Sequence, residues 1–112
     1  MLVAFSISPT SSDPSGSVTE AVTEAVRVVR ASGLPHETTS MFTTIEGEWD
    51  EVMAVVKGAV DAVQPFGSRV SLVLKADIRP GYTGEIDGKI ERLESALESI
   101  RPQEGSGTTI PE

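Results

Sequence analysis

The stretch HETTSMFTTIEGE, residues 36–48, decides the fold of this chain, because it separates two segments with helical periodicity. Its threonines, together with Phe42 and Ile45, are residue types that are enriched in strands. This composition favours two short strands joined by a tight turn. Glu46 stands where the second of these strands would end and the next helix would begin.

Helical patterns flank the predicted hairpin on both sides. The first follows Ser17-Val18-Thr19-Glu20, which matches a capping box, and it ends before Gly33 and Pro35. The second begins at Glu48 and has acidic residues in its first turn, where the helix dipole favours negative charge. Apolar residues recur at helical spacing in both segments and predict two amphipathic helices. The predicted buried residues are Val18, Ala21, Val22, Ala25, Val26 and Val29 in the first helix, and Trp49, Val52, Val55, Val56, Ala59, Val60 and Val63 in the second.

Two alternating segments, residues 2–8 and 69–78, predict the first and last strands. Val3, Phe5 and Ile7 would face the helices from the first strand. The last strand would place Val70, Leu72, Leu74, Ala76 and Ile78 on that same face. The opposite face is predicted to be mixed, and it would carry Ala4, Ser6, Ser8, Ser71, Val73, Lys75 and Asp77. Such a face suits either a ligand or a second subunit.

A third helix is predicted between Ile86 and Ile100, where apolar residues recur at spacings of four and three. We expect this seam to pack on its own domain, and its nearly coiled-coil-like spacing leaves a contact with another subunit as the alternative. The order β-α-β-β-α-β, followed by a helix, predicts an α+β fold. It indicates a ferredoxin-like βαββαβ sandwich, with a four-stranded antiparallel sheet, two helices on one face and an extra C-terminal helix. The domain would span residues 1–100, and the Pro/Gly/Ser-rich residues 101–112 are predicted to be a disordered tail.

The composition narrows the possible functions. The chain carries 17 acidic and 9 basic residues, and its net charge of −8 disfavours nucleic acids and anionic membranes. It has no cysteine, which excludes thiolate metal sites. It has one histidine, His36, and this disfavours catalytic triads built on histidine within one chain. No apolar run approaches the roughly 20 residues of a membrane-spanning helix, and the first residues lack a signal-peptide pattern. We therefore expect a cytoplasmic protein without a metal.

Three segments of the chain resemble the YkoF-like family of thiamine-binding proteins, which are single-domain proteins with a ferredoxin-like fold. The segments are ISPTSS at residues 7–12, SMFTTIEGEWDEVMAVVKGA at 40–59 and VSLVLKADIRPG at 70–81. The resemblance covers about residues 1–100. It implies non-catalytic binding of thiamine or its hydroxymethylpyrimidine part, no other cofactor, and self-association as a dimer or tetramer. Phe42 is a departure, because the family often has glycine there and a bulky ring would change the size of a pocket.

The predicted ligand site consists of polar residues in these segments. The aminopyrimidine of thiamine offers an amine donor and ring-nitrogen acceptors, and a carboxylate accepts from such a donor in a strong, charge-assisted bond. With the resemblance included, the predicted ligand-binding residues are Ser8, Thr43, Glu46, Lys75 and Asp77. Phe42 and Trp49 are the aromatic residues nearest to this site, and either ring would suit stacking on a flat pyrimidine.

Each of these residues also has a purely structural interpretation. Glu46 and Glu48 suit the N-terminus of the second helix, and threonines suit a strand. Lys75 and Asp77 lie two apart on one strand face, where an exposed ion pair would contribute less than about 1 kcal/mol. Ser8 follows the alternation of the first strand into a polar loop. The residues alone leave both interpretations open.

Two other classes of function also remain open. The mixed sheet face could serve self-association alone, as in an assembly or regulatory module without a small ligand. An enzyme is disfavoured, since the chain has neither a phosphate-binding Gly-Lys loop nor a nucleophile elbow. The sequence does not decide between thiamine, thiamine phosphate and a salvage pyrimidine. Nor does it decide whether the site lies within one chain or between two.

Overall fold

The computed structural model describes residues 1–10 and 18–104, with side chains up to residue 99. Two of the predicted segments are only partly within the described residues. Ser17 of the predicted capping box and the predicted tail after Glu104 lie outside them. The strands are β1 (Leu2–Thr10), β2 (His36–Thr38), β3 (Thr43–Glu46) and β4 (Arg69–Asp77). The helices are α1 (Val18–Ala31), α2 (Trp49–Val63) and α3 (Glu85–Glu104), and a 3-10 turn follows α2 at Gln64–Phe66.

The four strands form one antiparallel sheet in the order β2-β3-β1-β4. β1 lies in the middle, paired with β3 through Leu2–Phe5 and with β4 along its whole length. The two connections from β1 to β2 and from β3 to β4 each contain a helix, while β2 and β3 are joined directly as a hairpin. This is the predicted ferredoxin-like arrangement, and the hairpin in its middle is confirmed.

One face of the sheet is closed by α1 and α2. The core between them consists of small and branched apolar side chains that are each at most 4 % exposed: Val3, Phe5, Ala21, Ala25, Val29, Ile45, Val52, Val56, Ala59 and Val63. Gly33, at φ +76°, follows α1 in the left-handed conformation that commonly ends a helix. The predicted stripe of α2 is confirmed from Val52 to Val63.

Three residues of the predicted helix stripes are not buried. Trp49 is 53 % exposed at the first position of α2, and Val18 and Val22 are 47 % and 40 % exposed on α1. They fit the helical spacing, and two of them, Val18 and Trp49, are the first residues of their helices. Periodicity shows which side chains share a helix face, but it does not show how far the sheet beneath that face extends.

α3 does not pack in the predicted way. Ile90, Leu93 and Leu97 are each at least half exposed, so none of the described residues covers this part of the apolar seam, whereas Ile86 at its start is half-buried. Its first turns lie beside the end of β3, as the hydrogen bonds described below show. The helix also extends to Glu104, four residues past the expected end of the domain at residue 100.

Candidate functional site

The strand register assigns the predicted ligand-binding residues to different faces of the sheet. Thr43 lies opposite Phe5 and therefore on the face that α1 and α2 cover. Glu46 lies opposite Leu2, which belongs to the other face, the open face. Ser8 pairs with Ser71, and both belong to the open face as predicted. The structure thus separates Thr43 from Ser8, Glu46, Lys75 and Asp77 by the thickness of the sheet.

The residues of the open face do not converge on one point either. Along β1, Asp77 pairs with Leu2 and Ser8 pairs with Ser71. Ser8 lies six residues beyond Leu2 along the strand, which corresponds to roughly 20 Å at about 3.3 Å per residue. Lys75 lies opposite Ala4, between the two pairs. No single small ligand on this face spans from Ser8 to Asp77.

Glu46 binds the N-terminus of α3. Its Oε1 and Oε2 both accept from the backbone N–H of Glu85 at 2.9 Å, and Oε1 also accepts from the N–H of Ile86 at 3.4 Å. The carboxylate is 6 % exposed. Gly84 precedes the helix and has no side chain with which to cap it. Glu46, which lies 39 residues before Glu85 in the chain, supplies the cap instead.

The carboxylate of Glu46 therefore serves a helix N-terminus, but not the one suggested by its neighbours in sequence. At the start of α2, the backbone N–H of Glu48 instead donates to Glu51 Oε1 at 3.0 Å. A charged acceptor at two free N–H groups, at the positive end of a helix, makes a strong attachment. Glu46 fixes α3 to the sheet.

Asp77 also contacts α3. Lys89 Nζ donates to Asp77 Oδ2 at 2.5 Å, so the partner of Asp77 is a lysine of the helix and not Lys75 two residues earlier. The hydrogen bond and the positive charge of Lys89 lower the pKa of Asp77 below its ordinary value of 3.8. Within the described residues Lys75 forms no ion pair, so the predicted Lys75–Asp77 pair is not present.

A pocket of about 160 Å³ lies beneath the β2–β3 hairpin, between β1 and α1. Its wall combines apolar side chains with polar groups of the turn, including Phe5, Val26, Ser40, Met41, Phe42 and Thr43. We call it the hairpin pocket. The turn above it is closed by Thr39, whose N–H donates to Phe42 O at 2.9 Å and whose Oγ1 accepts from Phe42 N–H at 3.3 Å. This turn holds the strand that carries Thr43 in place.

A larger groove of about 660 Å³ runs along the outer side of α1, past Val22 and Val26. Among the described residues, only α1 lines it, so it has one wall and does not surround a ligand. The hairpin pocket is smaller, but strands, helix and turn enclose it from several sides. It also contains Thr43 and Phe42, which the sequence singled out. We take it as the candidate ligand site.

Sequence reasoning missed a second polar cluster, at the corner where β4 leads into α3. Arg92 Nη2 donates to Glu85 Oε2 at 2.6 Å, and the guanidinium of Arg79 lies 3.6 Å from the centre of the Tyr82 ring. Glu85 raises the pKa of Arg92 through this hydrogen bond. The spacing of Glu85 and Arg92, seven residues apart on one helix, was the available signal that these side chains share a face.

The described residues include no group of three or more histidine, cysteine, aspartate or glutamate side chains arranged to hold a metal ion. In the same part of the chain, no helix has the length and apolar character needed to cross a bilayer.

The chain is a ferredoxin-like α+β domain with a small pocket under its central hairpin. A family-wide sequence profile described as thiamine-binding protein matches residues 3–94. That match spans most of the chain, and the protein therefore belongs to the thiamine-binding protein family. The resemblance found in the sequence segments is confirmed.

The chain is also similar to several known proteins along most of its length. A UPF0045 protein of Mycobacterium bovis is 51 % identical over 104 residues, which cover 92 % of this chain and 98 % of the relative. A solved structure of a hypothetical protein from Methanocaldococcus jannascii is 30 % identical, with a TM-score of 0.73 and coverage of 83 % and 94 %. A candidate thiamine biosynthesis/salvage protein of Thermotoga maritima is 28 % identical, with a TM-score of 0.62 and coverage of 78 % and 95 %.

Proposed function

We propose that this protein binds thiamine, or its hydroxymethylpyrimidine part, without converting it, and that the pyrimidine ring occupies the hairpin pocket. The observation that carries this proposal is the position of Thr43 and Phe42 in the wall of a largely apolar pocket formed by β1, α1 and the hairpin turn. Membership of the thiamine-binding protein family supports the choice of ligand. The role would be that of a carrier or sensor in thiamine homeostasis, in the cytoplasm.

The size and chemistry of the pocket suit one aromatic ring. Pockets for drug-sized ligands typically measure about 300–1,000 Å³, so a pocket of about 160 Å³ accommodates the pyrimidine rather than the whole vitamin. Phe42 supplies an aromatic surface for the flat ring. The Thr43 hydroxyl can donate to a ring nitrogen or accept from the exocyclic amine. The thiazolium would extend from the pocket toward solvent.

Glu46 has a different role in this proposal. Both of its oxygens accept from N–H groups of α3, and it lies on the opposite face of the sheet from Thr43. Three hydrogen bonds to α3 already take up most of the acceptor capacity of this carboxylate. We therefore assign ligand contact to Thr43, and we assign to Glu46 the attachment of α3. Ser8, Lys75 and Asp77 lie on the open face and outside this pocket.

The first test is calorimetric titration of the protein with thiamine and with hydroxymethylpyrimidine. We expect saturable binding of both. Thr43→Val should weaken binding about tenfold, or about 1.4 kcal/mol, because it removes a hydrogen-bonding hydroxyl at nearly constant volume. Thr44→Val is the matched control, since the adjacent residue has the same side chain on the open face. Equal affinities for the two variants would show that the pyrimidine does not occupy the hairpin pocket.

A second candidate function, self-association without a small ligand, is favoured by the surface of β4 and α3. β4 is a nine-residue strand at the edge of the sheet, and Val73 is 56 % exposed on it. Long edge strands present unpaired backbone groups to another chain. We propose that copies of the chain associate through this edge into a dimer or tetramer. Val73→Lys should then shift the sedimentation coefficient toward that of the monomer, whereas Ser71→Lys, on the same face of the strand, should shift it less.

The two candidate functions make different predictions for one experiment. A ligand-binding protein is stabilised against heat by its ligand through mass action. An oligomer that shows no rise in melting temperature with thiamine or hydroxymethylpyrimidine would be an assembly module. A rise in melting temperature that Thr43→Val abolishes, in an oligomer of unchanged mass, would establish ligand binding as the function of the pocket.

A further inference from the structure

The first turn of α3 contains a buried carboxylate oxygen without a partner. Glu85 is 5 % exposed, and its Oε2 accepts from Arg92, but within the described residues its Oε1 has no hydrogen-bond partner. A buried acceptor without a donor destabilises the folded state, because it has lost its hydrogen bonds to water and gained none in return. The side chain does not escape to water, because the bond to Arg92 and the neighbouring cap at Glu46 hold it in place. An N–H donor from outside the chain would remove this cost.

Glu85 lines a cavity of about 140 Å³ at the corner between β1, the end of β4 and α3. We call it the corner cavity. Around Glu85, its wall includes Leu2, Asp77, Arg79, Tyr82, Lys89 and Arg92. The wall thus contains three of the nine basic residues of an acidic chain. The corner cavity lies at the open face of the sheet and is separate from the hairpin pocket.

Among the described residues, two cations of this wall have no carboxylate partner, namely the N-terminal ammonium of Met1, which donates to Gly47 O at 2.8 Å, and the guanidinium of Arg79. Lys89 is paired with Asp77, and Arg92 with Glu85. Arg79 forms no ion pair within the described residues, and its guanidinium instead stacks on the ring of Tyr82 at 3.6 Å. Stacking leaves the edge of the guanidinium, with its N–H donors, available to an anion. Glu85, with its unpaired oxygen, and Arg79, which forms no ion pair among the described residues, therefore line the same small space.

We propose that the corner cavity binds a small zwitterion, in which an ammonium group donates to Glu85 Oε1 and a carboxylate or phosphate pairs with Arg79. Either anionic group matches the planar fork of an arginine. The volume limits the ligand to a small molecule, well below the roughly 300 Å³ at which drug-sized ligands begin. This inference does not rest on thiamine binding, because it uses different residues on another face of the sheet.

The test is titration of the full chain, followed by two-dimensional NMR, with four probes. β-Alanine and phosphoethanolamine carry both groups, whereas ethylamine and inorganic phosphate each carry one. We expect one or both zwitterions to bind saturably and to shift the amide signals around Glu85 and Arg79. We expect the single-group probes to bind at least tenfold more weakly. The better zwitterion identifies the anionic group as carboxylate or phosphate.

Matched variants test the two contacts. Glu85→Gln and Arg79→Gln should each weaken binding of the better zwitterion about tenfold. Asp87→Asn and Arg69→Gln, which make the same charge changes at exposed positions outside the cavity, should leave it within twofold. If Glu85→Gln fails to fold, Arg79→Gln still tests the proposal, because Arg79 is exposed and its replacement should not disturb the fold.

Two results would overturn the proposal. One is that no zwitterion binds with a Kd below about 10 mM, which would leave the cavity to water. The other is that binding is equally strong in Arg79→Gln and in Arg69→Gln. Thr43→Val serves as the cross-check, because it should weaken the binding of pyrimidine and leave that of the zwitterion unchanged. A result against the corner cavity as a binding site is therefore distinct from a result against the hairpin pocket.

Discussion

The two faces of the sheet are covered in different ways. On one face, α1 and α2 pack onto the strands through apolar side chains that are almost completely buried, such as Val3, Ile45 and Val52. On the open face, α3 is attached by polar groups: the Glu46 cap and the Asp77–Lys89 ion pair. The apolar residues of α3 remain about half exposed.

The difference implies two levels of stability in one small domain. Apolar burial contributes about 25 cal/mol per Å² and does not depend on the protonation of any group. Exposed ion pairs contribute little and are screened by salt, and a cap stabilises only the helix that it serves. α3 should therefore detach before the sandwich unfolds, as an opening of low free energy. Variants of the core, of the Glu46 cap and of the Asp77–Lys89 pair test whether α3 detaches before the sandwich unfolds.

The largest effect is expected in the apolar core. Ile45→Ala should lower the free energy of unfolding by about 2–5 kcal/mol, because it leaves a cavity at a residue that is 0 % exposed. Leu93→Ala on α3 is the matched control, and since Leu93 is 59 % exposed it should change stability by less than about 0.5 kcal/mol. Urea denaturation measures both. Similar losses in the two variants would mean that the seam of α3 is buried in solution against another chain.

The same contrast explains what the sequence could predict. The order of elements, the hairpin at residues 36–48 and the stripe from Val52 to Val63 follow from periodicity and turn composition, and the structure has all three. Trp49 and the α3 seam were predicted to be covered and are exposed. An apolar spacing shows that residues share a face, but it contains no information about whether another element is present to cover that face.

The polar contacts were harder to predict because they depend on distance in the fold. Glu46 precedes α2 in the sequence, yet it caps a helix that begins 39 residues later. The strand alternation assigned the residues of the open face correctly, but Leu72 and Ile78, predicted on the covered face, are 41 % and 59 % exposed. β3 was not given a register. Thr43 and Glu46 therefore seemed to be neighbours in one site, although a separation of three residues along a strand directs them to opposite faces.

The second prediction concerns the Glu46 cap. Glu46→Gln removes the negative charge and one of the two acceptor oxygens, so the start of α3 should lose about 1–2 kcal/mol of local stability. Hydrogen exchange should accelerate about tenfold at the amides of Glu85 and Ile86, while those of β1 change little. Glu48→Gln, an exposed glutamate at the start of α2, should leave the exchange of α3 unchanged. Unaltered exchange at Glu85 in the Glu46 variant would contradict the role of the carboxylate as the cap.

The smallest effect is expected at the Asp77–Lys89 pair. Lys89 lowers the pKa of Asp77 below 3.8, so the folded state favours the charged form more than the unfolded state does. The contribution of this pair to stability is fully present above pH 3.8 and is lost as the pH falls through the lowered pKa of the folded protein.

Lys89→Met should return the pKa of Asp77 toward 3.8, as measured by following its side-chain carbonyl in an NMR titration. Lys75→Met is the matched control, because Lys75 is the weakest of the positive neighbours and its removal should raise that pKa less. Added salt should reduce the lowering of the pKa of Asp77 by Lys89, because the Asp77–Lys89 pair is exposed and salt screens exposed charges. An equal rise in both variants would show that Asp77 responds to the general field of the strand end and not to an ion pair with α3. In that case Glu46 alone would fix the orientation of the helix.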